Sequence, residues 1–256
     1  MLNLKKLDLS LPIMANKPFI DGHNLTANII NHMPLLNKFT FNFDLLTKFY
    51  KKDNIPSNDY IQETFKNFPN KQIISDVNYF EETGYSQCHI YSYPYPCQVT
   101  YYDNITNNFQ GGIFQWVREV SLHDERPFEH EFFLRISQSF PFVNELMIDN
   151  KKPQRNKQFR KSQNKDLSII EFPYLYDLDL TSAHKDYYEQ FLFENKSCLP
   201  NDICITMDYR LVKKVTRNFR RNITRSNCAK IRFVSFRHAS TFDDHVKEYF
   251  PRALEL

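Results

Sequence analysis

One apolar phrase recurs five times along this chain and constrains its fold more than any other feature. The phrase reads [Leu/Val]-x-x-[Leu/Phe/Val]-x-[Leu/Phe/Ile], and its end alternates apolar and polar residues as a half-buried strand does. In three copies a proline precedes the first apolar position by two residues, at Pro34, Pro141 and Pro173. The copies are Leu4-Leu7-Leu9, Leu36-Phe39-Phe41, Val117-Val120-Leu122, Val143-Leu146-Ile148 and Leu175-Leu178-Leu180. Recurrence of one phrase predicts a stack of similar structural units.

Helical patterns separate the phrases, so the expected unit is a helix, a proline turn and a short strand. Residues 128–140 carry apolar side chains at helical spacing and end before Pro141. Ser182 is predicted to cap a second helix. We therefore predict an α/β fold in which an irregular leucine-rich-repeat-like solenoid has short parallel strands on its concave face and helices outside. We expect one domain over residues 1–256, with a basic loop insertion at 151–165.

Composition argues against several functional classes. The chain has four glycines in 256 residues, and they do not form the close cluster that a phosphate-binding loop needs. Five scattered cysteines without a CxxC pair are typical of reduced thiols, which predicts a cytoplasmic or nuclear protein. No stretch approaches the ~18 apolar residues of a membrane span, so no membrane partner is expected.

The best candidate for metal binding or acid–base chemistry is the pair His123-Asp124-Glu125 and Glu129-His130-Glu131. Leu134 stands where a zincin-like phrase would have its second histidine, and acidic residues at a helix start are favoured by the helix dipole alone. There is no GxSxG phrase, and the histidines do not cluster with a cysteine. We therefore predict no enzyme activity and no catalytic, cofactor-binding or metal-binding residue.

Two basic segments suggest an alternative function. Residues 151–165 carry seven Lys or Arg and no acid, and residues 210–225 place basic side chains opposite an apolar helical face that ends at Phe219. Together they could bind a nucleic acid or an acidic partner, although solvated basic faces are common. The run from Tyr91 to Pro96 fits either a recognition surface or an edge strand.

Longer phrases spread over nearly the whole chain resemble one known family. These phrases are Phe128-Glu129-His130-Glu131-Phe132-Phe133, Phe140-Pro141-Phe142, Ser168-Ile169-Ile170-Glu171, Leu178-Asp179-Leu180, Glu189-Gln190-Phe191-Leu192, Cys198-Leu199-Pro200-Asn201, Val215-Thr216-Arg217-Asn218-Phe219 and Asn227-Cys228-Ala229-Lys230. Taken together, they resemble a large invertebrate family of F-box proteins with degenerate leucine-rich-repeat tails. The resemblance implies a substrate-receptor role, in which an F-box docks a Skp1-type adaptor of a cullin ubiquitin ligase and the tail presents a surface to a target protein. Because this sequence begins directly with a repeat phrase, we expect that adaptor as a partner only if an F-box lies upstream of Met1.

The leading prediction is a non-enzymatic protein-interaction module without a cofactor, the substrate-recognition part of an F-box-type ubiquitin ligase receptor. Its target would lie along the strand face or against the loops 81–110 and 151–165. The candidate contact residues occupy the variable positions of the phrases and are Arg118, Glu119, Asn144, Glu145, Tyr176, Asp177 and Asp179.

Overall fold

The structure, a computed structural model, describes residues 3–14, 19–48, 55–68, 72–94, 99–156, 168–238 and 244–253. The sequence predicts one domain, whereas the contacts divide the chain into two compact units, residues 1–99 and 100–256. The elements of the first unit are β1 (Lys6–Met14), α1 (Gly22–Asn28), β2 (Lys38–Lys48), α2 (Asn58–Thr64), β3 (Gln72–Phe80) and β4 (Tyr85–Tyr93).

The first unit is a four-stranded mixed sheet in the order β1-β2-β4-β3. Apolar side chains occupy every second position from Phe39 to Leu45 in β2, so Phe41, Phe43 and Leu45 join one buried cluster with Ile61 and Phe65 of the α2 region. The rings of Phe41 and Phe65 stack with their centroids 5.9 Å apart. A period of two along β2 therefore accounts for the core of this unit.

Helices α1 and α2 approach closely at a glycine. The Gly22 N–H donates to the hydroxyl of Thr64 at 2.8 Å. A Cβ atom on Gly22 would lie 2.1 Å from the carbonyl oxygen of Thr64, so only glycine fits at this position. The Asp21 carboxylate caps α1 by accepting the Asn24 N–H at 2.8 Å.

A hairpin in the first unit makes the predicted solenoid wrong. Residues 81–84 turn the chain between β3 and β4, where Gly84 has a φ of +67° and its N–H donates to the Phe80 carbonyl at 2.8 Å. Strand β4 consequently runs antiparallel to both β2 and β3. A solenoid needs every strand parallel and joined by a crossover, and a four-residue turn cannot supply one.

The second unit contains a six-stranded sheet in which every strand is parallel and the spatial order follows the chain, β5-β6-β7-β9-β11-β12. Strands β8 and β10 form a separate two-stranded ladder. The elements are β5 (Tyr101–Ile105), β6 (Glu119–His123), α3 (His130–Ser139), β7 (Glu145–Asn150), β8 (Ile170–Glu171), β9 (Asp177–Ala183), α4 (Lys185–Leu192), β10 (Ser197–Cys198), β11 (Ile203–Asp208), α5 (Tyr209–Val215), α6 (Arg225–Cys228), β12 (Ile231–Arg237) and α7 (Asp244–Tyr249).

One face of this parallel sheet forms the core of the second unit. Val120, Leu146 and Leu178 are in register on three neighbouring strands and at most 3% exposed. The helices add aromatic side chains to the core, and the rings of Phe133 and Phe191 meet edge to face at 5.3 Å. Because side chains alternate along a strand, the neighbours of these apolar residues point to the opposite face.

Candidate functional site: the open strand face

Three carboxylates line up across the face of the sheet opposite the core. Glu119, Glu145 and Asp177, here called the first-row carboxylates, are directly paired on β6, β7 and β9. Neighbouring strands lie about 4.8 Å apart, so the row crosses three strands within roughly 10 Å. A second row on the same face comprises Ser121, Met147, Asp179 and Thr206.

The two rows line an open groove of about 420 Å³. Its carboxylates are Asp103, Glu119, Glu145, Asp177 and Asp179. Among the described residues, no lysine or arginine lines the groove. The groove therefore presents concentrated negative charge to solvent.

Two of these five carboxylates accept hydrogen bonds from neighbouring hydroxyl or backbone N–H groups. Asp103 accepts a hydrogen bond from the Ser121 hydroxyl at 3.2 Å, and Asp179 accepts from the Thr181 hydroxyl at 2.6 Å and the Thr181 N–H at 2.7 Å. The first-row carboxylates form no ion pair within the part of the chain that the structure describes. Like charges directly opposite each other destabilise a sheet, so this row carries an energetic cost.

The environment of Asp177 reflects the charge of the groove. Partial burial raises the pKa of Asp177, and the nearby charge of Asp179 raises it further. Both causes penalise the ionised form of the carboxyl group. A cation placed in the groove would act in the opposite direction and favour ionisation.

The seven predicted contact residues divide into two sets. Glu119, Glu145, Asp177 and Asp179 line the groove. Arg118, Asn144 and Tyr176 lie one position before the strands begin. The Arg118 carbonyl accepts from the N–H groups of Asn144 at 2.7 Å and Glu145 at 3.0 Å, and the Asn144 carbonyl accepts from those of Tyr176 at 2.7 Å and Asp177 at 2.9 Å. These three residues therefore bridge successive strands through their backbones beside the groove.

Three exposed aromatic residues precede the first-row carboxylates along the chain. Trp116, Phe142 and Tyr174 are 57%, 37% and 57% exposed, and each precedes a first-row carboxylate by three residues. The Phe142 and Tyr174 rings lie 5.3 Å apart between centroids. The guanidinium of Arg118 lies 5.3 Å from the Phe142 centroid while donating to the carbonyl of Gln115 at 2.7 Å. These three residues form what we call the aromatic row.

The aromatic row and six residues of the groove lining were not predicted from the sequence as contact residues. An aromatic residue directly before the first apolar position of three successive phrases was the available signal, in Trp116-Val117, Phe142-Val143 and Tyr174-Leu175. Asp103 was missed because β5 falls in the segment 81–110, which the sequence does not divide into elements. The other lining residues that were not predicted are Ser121, Met147 and Thr206, together with Val120 and Leu146, which are buried.

The acidic and histidine cluster around α3 has structural roles. Asp124 accepts from the N–H groups of Asn107 and Arg126, both at 2.8 Å. Glu129 accepts the Arg155 N–H at 2.8 Å, and the His130 ring lies 3.0 Å from the Ser168 carbonyl oxygen. In the described ranges, no group of three or more His, Cys, Asp or Glu could hold a metal ion.

The basic segments differ from the predicted pattern. Residues 157–165 of the loop lie outside the described residues. Helix α5 ends at Val215, and Arg217, Asn218 and Phe219 follow with φ between +52° and +59°, so the predicted continuous helical face is wrong. The Thr216 hydroxyl accepts the Phe219 N–H at 3.1 Å and stabilises this left-handed turn. Binding of a nucleic acid or an acidic partner through 151–165 and 210–225 stays a prediction.

The aromatic run beginning at Tyr91 lies largely inside the first unit. Tyr91 and Ser92 belong to β4, which has a strand on each side, and both are at most 1% exposed. An edge strand is therefore wrong for these two residues. The part of the run at Tyr95 and Pro96 lies outside the described residues.

Comparisons with known proteins assign no relative to this chain. No family model, curated protein or solved structure matches it significantly. Among the described residues, no helix is both long enough and apolar enough to cross a membrane.

Proposed function

We propose that the chain is a non-enzymatic protein-interaction module and that the open strand face of residues 100–256 binds its protein partner. The observation that carries the proposal is the alignment of Glu119, Glu145 and Asp177 on neighbouring strands. The alignment costs stability, and no ion pair among the described residues offsets it. Natural folds retain locally unfavourable arrangements of this kind chiefly where a site serves function.

The neighbouring side chains support a macromolecular partner. Exposed tryptophan and tyrosine are enriched at protein interfaces, where they supply large contact areas, and the aromatic row provides both. Met147, 47% exposed in the second row, adds an adaptable apolar contact. The groove is open along the sheet, whereas small-molecule sites bury most of their ligand.

The test compares the full chain with two charge reversals of equal size. Glu145→Lys places the reversal in the middle of the first row, and Glu194→Lys places it on an exposed side chain away from the groove. Proteins captured from a cell extract by the wild type and by Glu194→Lys would be produced in pure form and their Kd values measured. Of the two variants, we expect only Glu145→Lys to bind a purified partner more weakly than the wild type, with a Kd at least tenfold higher. Purified partners that bind all three chains equally would overturn the proposal.

We further propose that this module is the substrate-recognition part of an F-box-type ubiquitin ligase receptor. The family resemblance of the phrases described above supports this role, and the free thiols of Cys198 and Cys204 support a reducing cytoplasm or nucleus as its location. The test is the full 5′ end of the transcript, followed by purification of its product with a Skp1-type adaptor. An upstream F-box with adaptor binding would support the role. A product that binds no adaptor would refute the ligase role. The proposal that the open strand face binds a protein would be unaffected, since Glu145→Lys tests it separately.

A further inference from the structure

We infer that the occupant of the open strand face is an extended, arginine-rich protein segment. This inference rests on the proposed protein-binding role and names the chemical class of the partner. Two features carry it, the charge of the groove and the position of the aromatic row.

The charge of the groove selects a cationic partner. Five carboxylates line it without a lysine or arginine among the described residues. The phosphates of a nucleic acid or the side chains of an acidic segment would be repelled, since like charges brought together at an interface cost binding free energy. A basic segment would relieve the repulsion within the first row while it binds.

The aromatic row selects arginine over lysine. In the turn before each of three neighbouring strands, an exposed aromatic residue stands three positions ahead of a first-row carboxylate. A planar guanidinium can stack on such a ring and bond a carboxylate through its fork of N–H donors, whereas an ammonium group acts as a compact point charge. The stacking mode already occurs within the chain, because the Arg118 guanidinium lies over the Phe142 ring.

The spacing of the row is compatible with an extended segment. The first-row carboxylates recur about every 4.8 Å across the strands, and alternate side chains of an extended peptide recur about every 6.8 Å along one face. The two spacings differ by about 2 Å per step, so the long side chains of successive arginines can still reach first-row carboxylates from a peptide laid across the strands. The open groove gives such a peptide room to lie along the sheet.

The experiment titrates the full chain into three fluorescent synthetic peptides and follows fluorescence anisotropy. The peptides alternate serine with arginine, with lysine or with glutamine. We expect the arginine peptide to bind at least threefold more tightly than the lysine peptide, and the glutamine peptide not to bind. Raising the salt concentration should weaken binding of both basic peptides, since the contacts are charged and exposed.

Matched variants separate the two features. Glu145→Gln should raise the Kd of both basic peptides by about three- to tenfold, whereas Glu194→Gln should leave both Kd values unchanged. Tyr174→Ala should lower the preference for arginine over lysine, since it removes one of the three rings of the aromatic row. Tyr60 in α2 is 54% exposed, close to the 57% of Tyr174, so Tyr60→Ala is the matched control and should leave the preference for arginine intact.

Three outcomes would overturn the inference. They are equal binding of the arginine and lysine peptides by the wild type, an arginine preference that Tyr174→Ala leaves unchanged, and no binding of either basic peptide. The proposed protein-binding role is refuted by a different result, namely purified partners that bind Glu145→Lys with the same Kd as the wild type. A partner that depends on Glu145 but carries no arginine-rich segment would refute this inference alone.

Discussion

Neutralising the central carboxylate of the first row should stabilise the protein. Glu145 has Glu119 on one neighbouring strand and Asp177 on the other, so Glu145→Gln removes two like-charge pairs while it keeps the length and polarity of the side chain. Directly opposed pairs contribute about 0.2–1 kcal/mol each, which predicts a gain of about 1 kcal/mol in the free energy of unfolding. For a protein of this size, that gain corresponds to a rise in Tm of about 2–4 °C.

The assay is thermal unfolding of the full chain, followed by circular dichroism at low salt and at 1 M salt. The gain should be largest at low salt and should shrink at 1 M, where the Debye length falls to about 3 Å. Glu194→Gln is the control, because it removes the same charge from an exposed position off the groove. A Tm that is unchanged or lowered at low salt, or a gain that is equally large at 1 M, would refute the repulsion on which the account depends.

Three further predictions concern the interior. Gly22→Ala should destabilise the first unit by about 1–3 kcal/mol, since its Cβ would meet the Thr64 carbonyl, and chemical denaturation measures the loss. Asn227→Ala should cost about 3 kcal/mol in the same assay, because the buried Asn227 amide donates to the Ser197 carbonyl at 2.7 Å and accepts the Leu199 N–H at 3.1 Å. Burial lowers the pKa of His89 to about 3, so only the unfolded chain takes up a proton as the pH falls from about 6.5. Stability should then drop by about 1.4 kcal/mol per pH unit between pH 6 and 4, and His89→Gln should flatten that slope in denaturation measured across this range; an unchanged slope would contradict it.

Local apolar patterns predicted several strands correctly. Leu7 and Leu9 lie in β1, Phe39 and Phe41 in β2, and the later phrases supply β6, β7 and β9. Turns at residues 34–35, 141–142 and 173–174 begin at the three prolines of the phrases. Proline restricts both its own φ and the preceding residue, so these boundaries are encoded locally.

Strand direction was not encoded in the same way. Ile74, Val77 and Tyr79 have the spacing of the phrase and lie in β3, but the turn at Gly84 returns the chain antiparallel. An alternating apolar pattern specifies which face is buried and leaves the direction of the partner strand open. The repeat therefore predicted strands in the first unit without predicting the mixed sheet they form.

The candidate site was predictable only in part. Alternation along each strand predicts that Glu119, Glu145 and Asp177 lie outside the core. Their alignment with one another depends on the register of β6, β7 and β9, which is set when Val120, Leu146 and Leu178 pack together. The long-range contacts that fix this register are not visible within a single phrase.

The most direct test of the central claim is carboxyl footprinting of the full chain with and without a purified partner. Solvent-exposed carboxylates are modified with a carbodiimide and an amine, and mass spectrometry measures the extent of modification at each site. We expect the partner to protect Glu119, Glu145 and Asp177 and to leave the modification of Glu194 unchanged. Protection confined to carboxylates away from the groove, with these three still modified, would contradict the claim that the open strand face binds the partner.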